Sequence, residues 1–168
     1  MITWYEDEII KIQFSRMPRT ETLNATGYST PEEIKDINKK PYLLLYGIDV
    51  LVEYEGQKYE FSIETHYRWN GANIPFGLWN IIGSPSDNRY RIPSMVHDKL
   101  CENHDFVNHN RYLSSLIFER LLKVAGVNRI KRKVMFIAVD NYQKLFCGWN
   151  KKIKEDKFIE YVDYNGNY

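Results

Sequence analysis

Disulfides, strong net charge and long apolar runs are all missing from this chain, and each absence removes a class of protein. The 168 residues include only two cysteines, Cys101 and Cys147, too few for a disulfide framework and in keeping with a reducing compartment. The formal net charge is +1, so no long-range field draws the molecule to nucleic acid or anionic lipid, and no specific nucleic-acid partner is expected. The longest apolar run is Val134 to Val139, far short of a bilayer span, so no membrane span is expected. Glu6, Asp7 and Glu8 interrupt what would be the apolar region of a signal peptide, and none is expected. Neither a Gly-x-Ser-x-Gly elbow nor a glycine-rich phosphate loop before a helix occurs, so serine-nucleophile and nucleotide chemistry lack their usual carriers.

Aromatic residues are plentiful instead, with 13 Tyr and 4 Trp. A domain of this size has limited interior for so many rings. Either some lie on a surface that meets a partner, because Tyr and Trp join a large apolar body to a polar tip, or they fill half-exposed strand faces.

Pattern along the chain places strands first and helices second, which predicts an α+β fold: an antiparallel sheet over residues 8–66 packed against a C-terminal bundle of about four helices. Residues 1–148 are expected to form one domain, with 149–168 as a polar tail anchored only by Phe158, Ile159, Tyr161, Val162 and Tyr164. Ile9 to Phe14 alternates as a strand. Residues 18–41 read as a long loop in which Thr30-Pro31-Glu32-Glu33 opens a short helix. Tyr42 to Tyr54 and Lys58 to His66 form two strands joined through Glu55-Gly56-Gln57, where Gly56 takes the positive φ of a tight hairpin. Helices are predicted over Phe76 to Ile82, from about Pro93 to Asn103, over Asn110 to Ala125 with Gly126 as its stop, and over Asn128 to Cys147. The last is apolar around so much of its circumference that it is expected to be the central helix.

Two motifs carry the chemistry: Trp69-Asn70-Gly71-Ala72-Asn73-Ile74-Pro75, and Val96-His97-Asp98-Lys99-Leu100. A small-residue turn lets backbone approach a ligand while a helix fixes two polar side chains beside it. Arg111, Phe118 and Ala125-Gly126-Val127 follow in order. Over residues 65–148 this series resembles a family of unknown function found in tailed phages and prophages, with D-G-A-S-x-P, H-D-x-L and R-x-x-A-D-x-x-F motifs. The resemblance implies a virion setting, made in the bacterial cytoplasm, with other virion proteins as partners. It carries no settled activity. Two family carboxylates are replaced here, by Asn70 and Ser115, so an anionic site built from them would keep only Asp98. A divalent cation held there would be weakly bound, because hard cations need several oxygen ligands with formal charge.

His97 and Asp98 are adjacent on a helix and diverge by about 100°, so each is expected to find its partner elsewhere. In the catalytic reading His97 is a general base and Asp98 binds a cation or orients the turn. In the clamp reading Asp98 caps the backbone of Asn70, Gly71 and Asn73 while His97 is buried. His97, Cys101 and His104 share one helical stripe, but a zinc site there needs His66 or His109 from outside the helix. The basic runs Arg129–Lys133 and Lys151–Lys154 read as solvated helix face and locally compensated tail. Two functions follow: a virion-associated structural or accessory protein of the tail or portal region, or a small metal-dependent or histidine-based hydrolase of cell-envelope or lipid material. Cofactors are not expected beyond that cation.

Overall fold

The computed structural model describes residues 1–71, Ser84, 87–146 and Trp149. The expected helix over Phe76 to Ile82, the Asn73 end of the turn and the tail beyond Trp149 lie outside the described residues.

The architecture is α+β, as the pattern predicted. Strands β1 (Ile2–Glu6), β2 (Ile10–Phe14), β5 (Ile48–Tyr54) and β6 (Gln57–Ile63) form a four-stranded antiparallel sheet in the order β1-β2-β5-β6. Alternation explains its buried face: Ile10, Ile12, Phe14, Ile48, Val50, Val52, Phe61 and Ile63 are all covered, and a period of two puts them on one side. Each such side chain contributes roughly 2 kcal/mol by leaving water. The β5–β6 hairpin closes on two residues, with Tyr54 opposite Gln57 and φ of +50° at Glu55 and +76° at Gly56. Positive φ at both central positions matches the right-handed twist of the strands.

A second, three-stranded sheet was not expected. It orders β3 (Thr20–Thr22), β4 (Tyr42–Leu44) and β7 (Arg68–Trp69) as β3-β4-β7. The single strand predicted over Tyr42–Tyr54 is therefore two strands belonging to different sheets. The break falls at Leu45-Tyr46-Gly47, where the Gly47 N–H donates to Thr65 Oγ1 at 2.8 Å and a β-carbon would stand 3.1 Å from Thr65 N. Between β3 and β4, α1 (Pro31–Lys39) begins with a capping box: Thr30 Oγ1 accepts from Glu33 N, and the Glu33 carboxylate accepts from Thr30 N. None of its residues is buried. Arg68 holds its far end, donating to the Asp36 and Lys40 carbonyls and pairing with the Asp36 carboxylate.

The C-terminal half contributes α2 (Arg91–Glu102), α3 (Arg111–Val124) and α4 (Arg129–Phe146), with 3₁₀ turns at Asn88–Tyr90 and His104–Val107. Asn110 caps α3 through its side-chain oxygen on Leu113 N, and Gly126 stops it at φ +77°. Helix α3 buries Leu113, Ser114, Ser115, Leu116, Ile117, Phe118, Leu121 and Leu122. It packs against α2, α4 and β1 and is the central helix. The expectation that α4 would hold that place is overturned: Ile130, Ile137 and Leu145 are exposed, and Met135 and Gln143 are its buried residues among those described. Val124, the last residue of α3, is also exposed. No helix among the described residues is long and apolar enough to cross a membrane.

Candidate functional site around the turn and helix α2

The site is assembled from the end of β7 and two faces of α2. Trp69 is fully buried, and its indole N–H donates to Ser94 Oγ at 3.2 Å. Ser94 and Asp98 are four residues apart, so they lie on one face of α2. Trp69, the last residue of β7, is thereby docked on the face that carries Asp98. Gly71 is buried with φ +86°, and a β-carbon there would come within 2.7 Å of Tyr42 Cε2. Glycine is thus needed twice over, for the left-handed backbone and for the close approach to the Tyr42 ring. Asn70 is exposed, and Asn73 is outside the described residues.

Beside Asp98 stands a charged cluster built on Tyr67. Its hydroxyl donates to Glu102 Oε2 at 3.1 Å, its ring stacks on Trp69, and Lys99 Nζ lies 5.1 Å from the ring centre. Lys99 in turn donates to Glu64 Oε2 at 2.5 Å, and Lys40 pairs with Glu102 at 3.2 Å. Burial, together with the neighbouring Glu102, Asp98 and Glu64 charges, pushes the Tyr67 hydroxyl well above the usual phenol range. Burial likewise raises the Asp98 carboxyl, opposed by His97 and Lys40 and reinforced by Glu102. Asp98 makes no hydrogen bond to the backbone of Asn70 or Gly71, so the described part of the turn lacks the cap that the clamp reading placed there. His97 Nδ1 is 3.7 Å from Asp98 Oδ1, an electrostatic contact longer than a hydrogen bond. The two side chains thus come closer than their helical divergence suggested.

His97 faces the opposite way, into the helices. Its side chain is 7% exposed, its ring packs at 5.2 Å from that of Phe118, and Cys101 Sγ is 3.8 Å from Nε2 and 3.9 Å from Nδ1. From Cys101 a polar network runs through the helix interfaces. Gln143 Nε2 donates to Cys101 Sγ at 3.6 Å and to Ser114 Oγ at 2.7 Å, while Gln143 Oε1 accepts from Ser115 Oγ at 2.9 Å. Asp140 Oδ1, 3.2 Å from Ser115 Oγ, pairs with Arg111 Nε at 3.0 Å. Gln143, Ser114 and Ser115 are all fully buried, so this network locks α2, α3 and α4 together.

Sequence reasoning identified Ser115 and Arg111 only as positions in a motif, and it missed Tyr42, Tyr67, Gln143 and Asp140. The available signal was Asp140 and Gln143, two polar residues one turn apart on α4. His97 packs on Phe118, while His104 and His109 meet each other. His104 stacks on Trp149 at 4.1 Å and meets His109 edge-on at 5.9 Å, and His109 pairs with Asp105 at 2.7 Å. Among the described residues no group of three or more His, Cys, Asp or Glu is arranged to hold a metal ion.

Known proteins add a family to this geometry. The chain is 32% identical over 83 residues to the uncharacterized protein y4jT of Sinorhizobium fredii (strain NBRC 101917 / NGR234), a stretch that is 49% of this chain and 24% of that protein. The match thus spans about a quarter of the relative's own length. No solved structure matches. Residues 47–139, from β5 through the first half of α4, match the family described as protein of unknown function (DUF1353). That span is more than half of the chain and holds both faces of the site, so the chain belongs to this DUF1353 family.

Proposed function

We propose that the protein is a virion-associated accessory protein of a tailed phage or prophage, working in the tail or portal region by binding other virion proteins. The observation that carries this reading is the burial of His97 between Phe118, Cys101 and Asp98. A general base must reach a proton on its substrate, and this ring is enclosed by protein on the side that faces the helices. Asn70 and Ser115, standing where the resembling phage family has carboxylates, weaken an anionic centre further. Instead, Ser115 holds helices together through Gln143. The phage setting itself is supported by the ordered motifs alone, from Trp69 through His97-Asp98 to Arg111 and Phe118. Quantitative mass spectrometry of purified particles tests the reading. A fixed copy number of this chain per particle is expected, and its absence from particles that assemble normally sinks the proposal.

One observation favours the alternative, a small metal-dependent or histidine-based hydrolase. Asp98 is a partly covered carboxyl with a raised pKa, 3.7 Å from an imidazole, and carboxyls perturbed in this way gather at active sites. Metal-dependent release of cell-envelope or lipid fragments, abolished in His97→Ala, would replace the binding reading with this one.

A further inference from the structure

Helix α4 carries a ridge of exposed apolar side chains. Ile130 is 74% exposed, Ile137 50% and Leu145 70%. Spacings of seven and eight residues set these side chains along one face, with half-buried Val134 at its margin. The ridge extends for about 22 Å at 1.5 Å per residue. Scattered exposed aliphatics need no explanation, but three large ones in a line on a single helix form a contact surface. Arg129 and Lys133 follow one edge of this ridge, and both are exposed. Asp140, the one acidic residue of α4, is paired with Arg111 at 3.0 Å. The ridge therefore presents an apolar strip bordered by positive charge.

We infer that this face docks an amphipathic helix of another protein, one that carries Glu or Asp alongside its apolar stripe. The inference rests on the binding reading above and names the surface and the partner's chemistry. Apolar teeth supply the contact area, and the basic edge selects an acidic partner and sets its direction. A second copy of this chain is the wrong occupant. Two-fold pairing through α4 offers Arg129 and Lys133 no acidic residue of the other α4 except Asp140, which Arg111 already holds.

The test uses the full chain and two synthetic amphipathic peptides of about 20 residues, long enough to span the ridge. Both carry the same leucine face, one flanked by Glu and the other by Lys. Fluorescence anisotropy is expected to show binding of the Glu-flanked peptide only. That affinity falls about tenfold in Ile137→Asp and in Ile130→Asp, and it falls again as salt is raised because the basic edge is screened. Charge reversal by Arg129→Glu with Lys133→Glu is expected to abolish the preference between the peptides. Ile130 is the more exposed site, so its variant should retain the wild-type melting temperature and keep the test readable if Ile137→Asp unfolds.

Equal binding of both peptides, or unchanged affinity in the aspartate variants, overturns the inference. So does a dimer in sedimentation equilibrium that Ile137→Asp dissolves, which assigns the face to a second copy. A large gain in peptide affinity on deleting residues 150–168 assigns it to the chain's own tail. Particles that keep Ile137→Asp at full copy number remove this surface and leave the binding reading standing. Loss of the wild-type chain from particles removes that reading and leaves the peptide result untouched.

Discussion

Helices α3 and α4 lie side by side, and their sequences are difficult to rank. Both repeat large aliphatics at helical spacing, and α4 is the longer. Yet α3 is enclosed by the sheet edge, α2 and α4, whereas α4 packs mainly on α3. Where α3 buries Ile117, Phe118 and Leu122 completely, α4 leaves Ile130 and Leu145 mostly in water. A helix's apolar content states how much surface it would gain by covering, and its place in the stack decides how much it receives. Charges repeat the contrast. On the sheet side, Arg120 of α3 reaches Asp7 at 3.1 Å and Lys123 donates to the Tyr5 hydroxyl at 3.1 Å. On the far side of α4 the basic residues Arg129 and Lys133 form no ion pair among the described residues.

Truncating one residue on each helix should separate the two most strongly. Ile117→Ala should cost about 3 kcal/mol in a denaturant titration, because the cavity has no route to water. Ile130→Ala should change stability by less than about 0.5 kcal/mol. Equal losses at the two sites would show that α4 is covered in solution. Next in size is Gln143→Leu, which leaves the buried Ser114 and Ser115 hydroxyls without their amide partner and should cost about 2 kcal/mol. Adding Ser114→Ala and Ser115→Ala should recover much of that loss, since a network removed whole costs less than one half satisfied.

A smaller effect concerns the tie between α3 and the sheet. Burial acts to raise the Asp7 carboxyl, but the Tyr5 hydroxyl, the Ile10 and Ile9 N–H groups and Arg120 outweigh it and lower the pKa from 3.8 to about 2. A depressed folded pKa contributes stability that is complete above the unfolded value and disappears as pH falls through the folded one. Asp7→Asn should therefore cost about 1 kcal/mol at neutral pH, a figure discounted because the side chain is 28% exposed. The difference between variant and wild type should close as pH drops from about 4 to about 2, the interval between the two pKa values.

The smallest effect has the opposite sign. Burial raises Asp98, so its charge disfavours the folded chain at neutral pH, and protonation relieves this as pH falls through the raised pKa. Asp98→Asn should leave the melting temperature unchanged or slightly higher at pH 7, with any gain fading under acid. A clear loss of stability would instead restore the clamp reading.

Much of the local structure was legible because its causes are local. Asn110 and Gly126 bound α3, Thr30 and Glu33 open α1, and the Glu55-Gly56 turn sets the register of β5 and β6. Strands β3 and β7 were not legible, since a strand of two or three residues has too short a pattern and forms only against a distant partner. Within the candidate site, Gly71 was legible from residue type and His97-Asp98 from the motif. The pairing of Cys101 with Gln143 was not, because 42 residues separate them.

By itself, then, the sequence determined the start of α1, the ends of α3, the β5–β6 turn with the alternation of its strands, and the α+β order, all of which depend on interactions within a few residues. Tertiary structure alone decided which of two apolar helices is central, that one predicted strand serves two sheets, and that His97 packs on Phe118 while Asp98 shares a helix face with Ser94, which Trp69 reaches. Burial is conferred by neighbours, and neighbours far away in the chain leave no periodic mark on it.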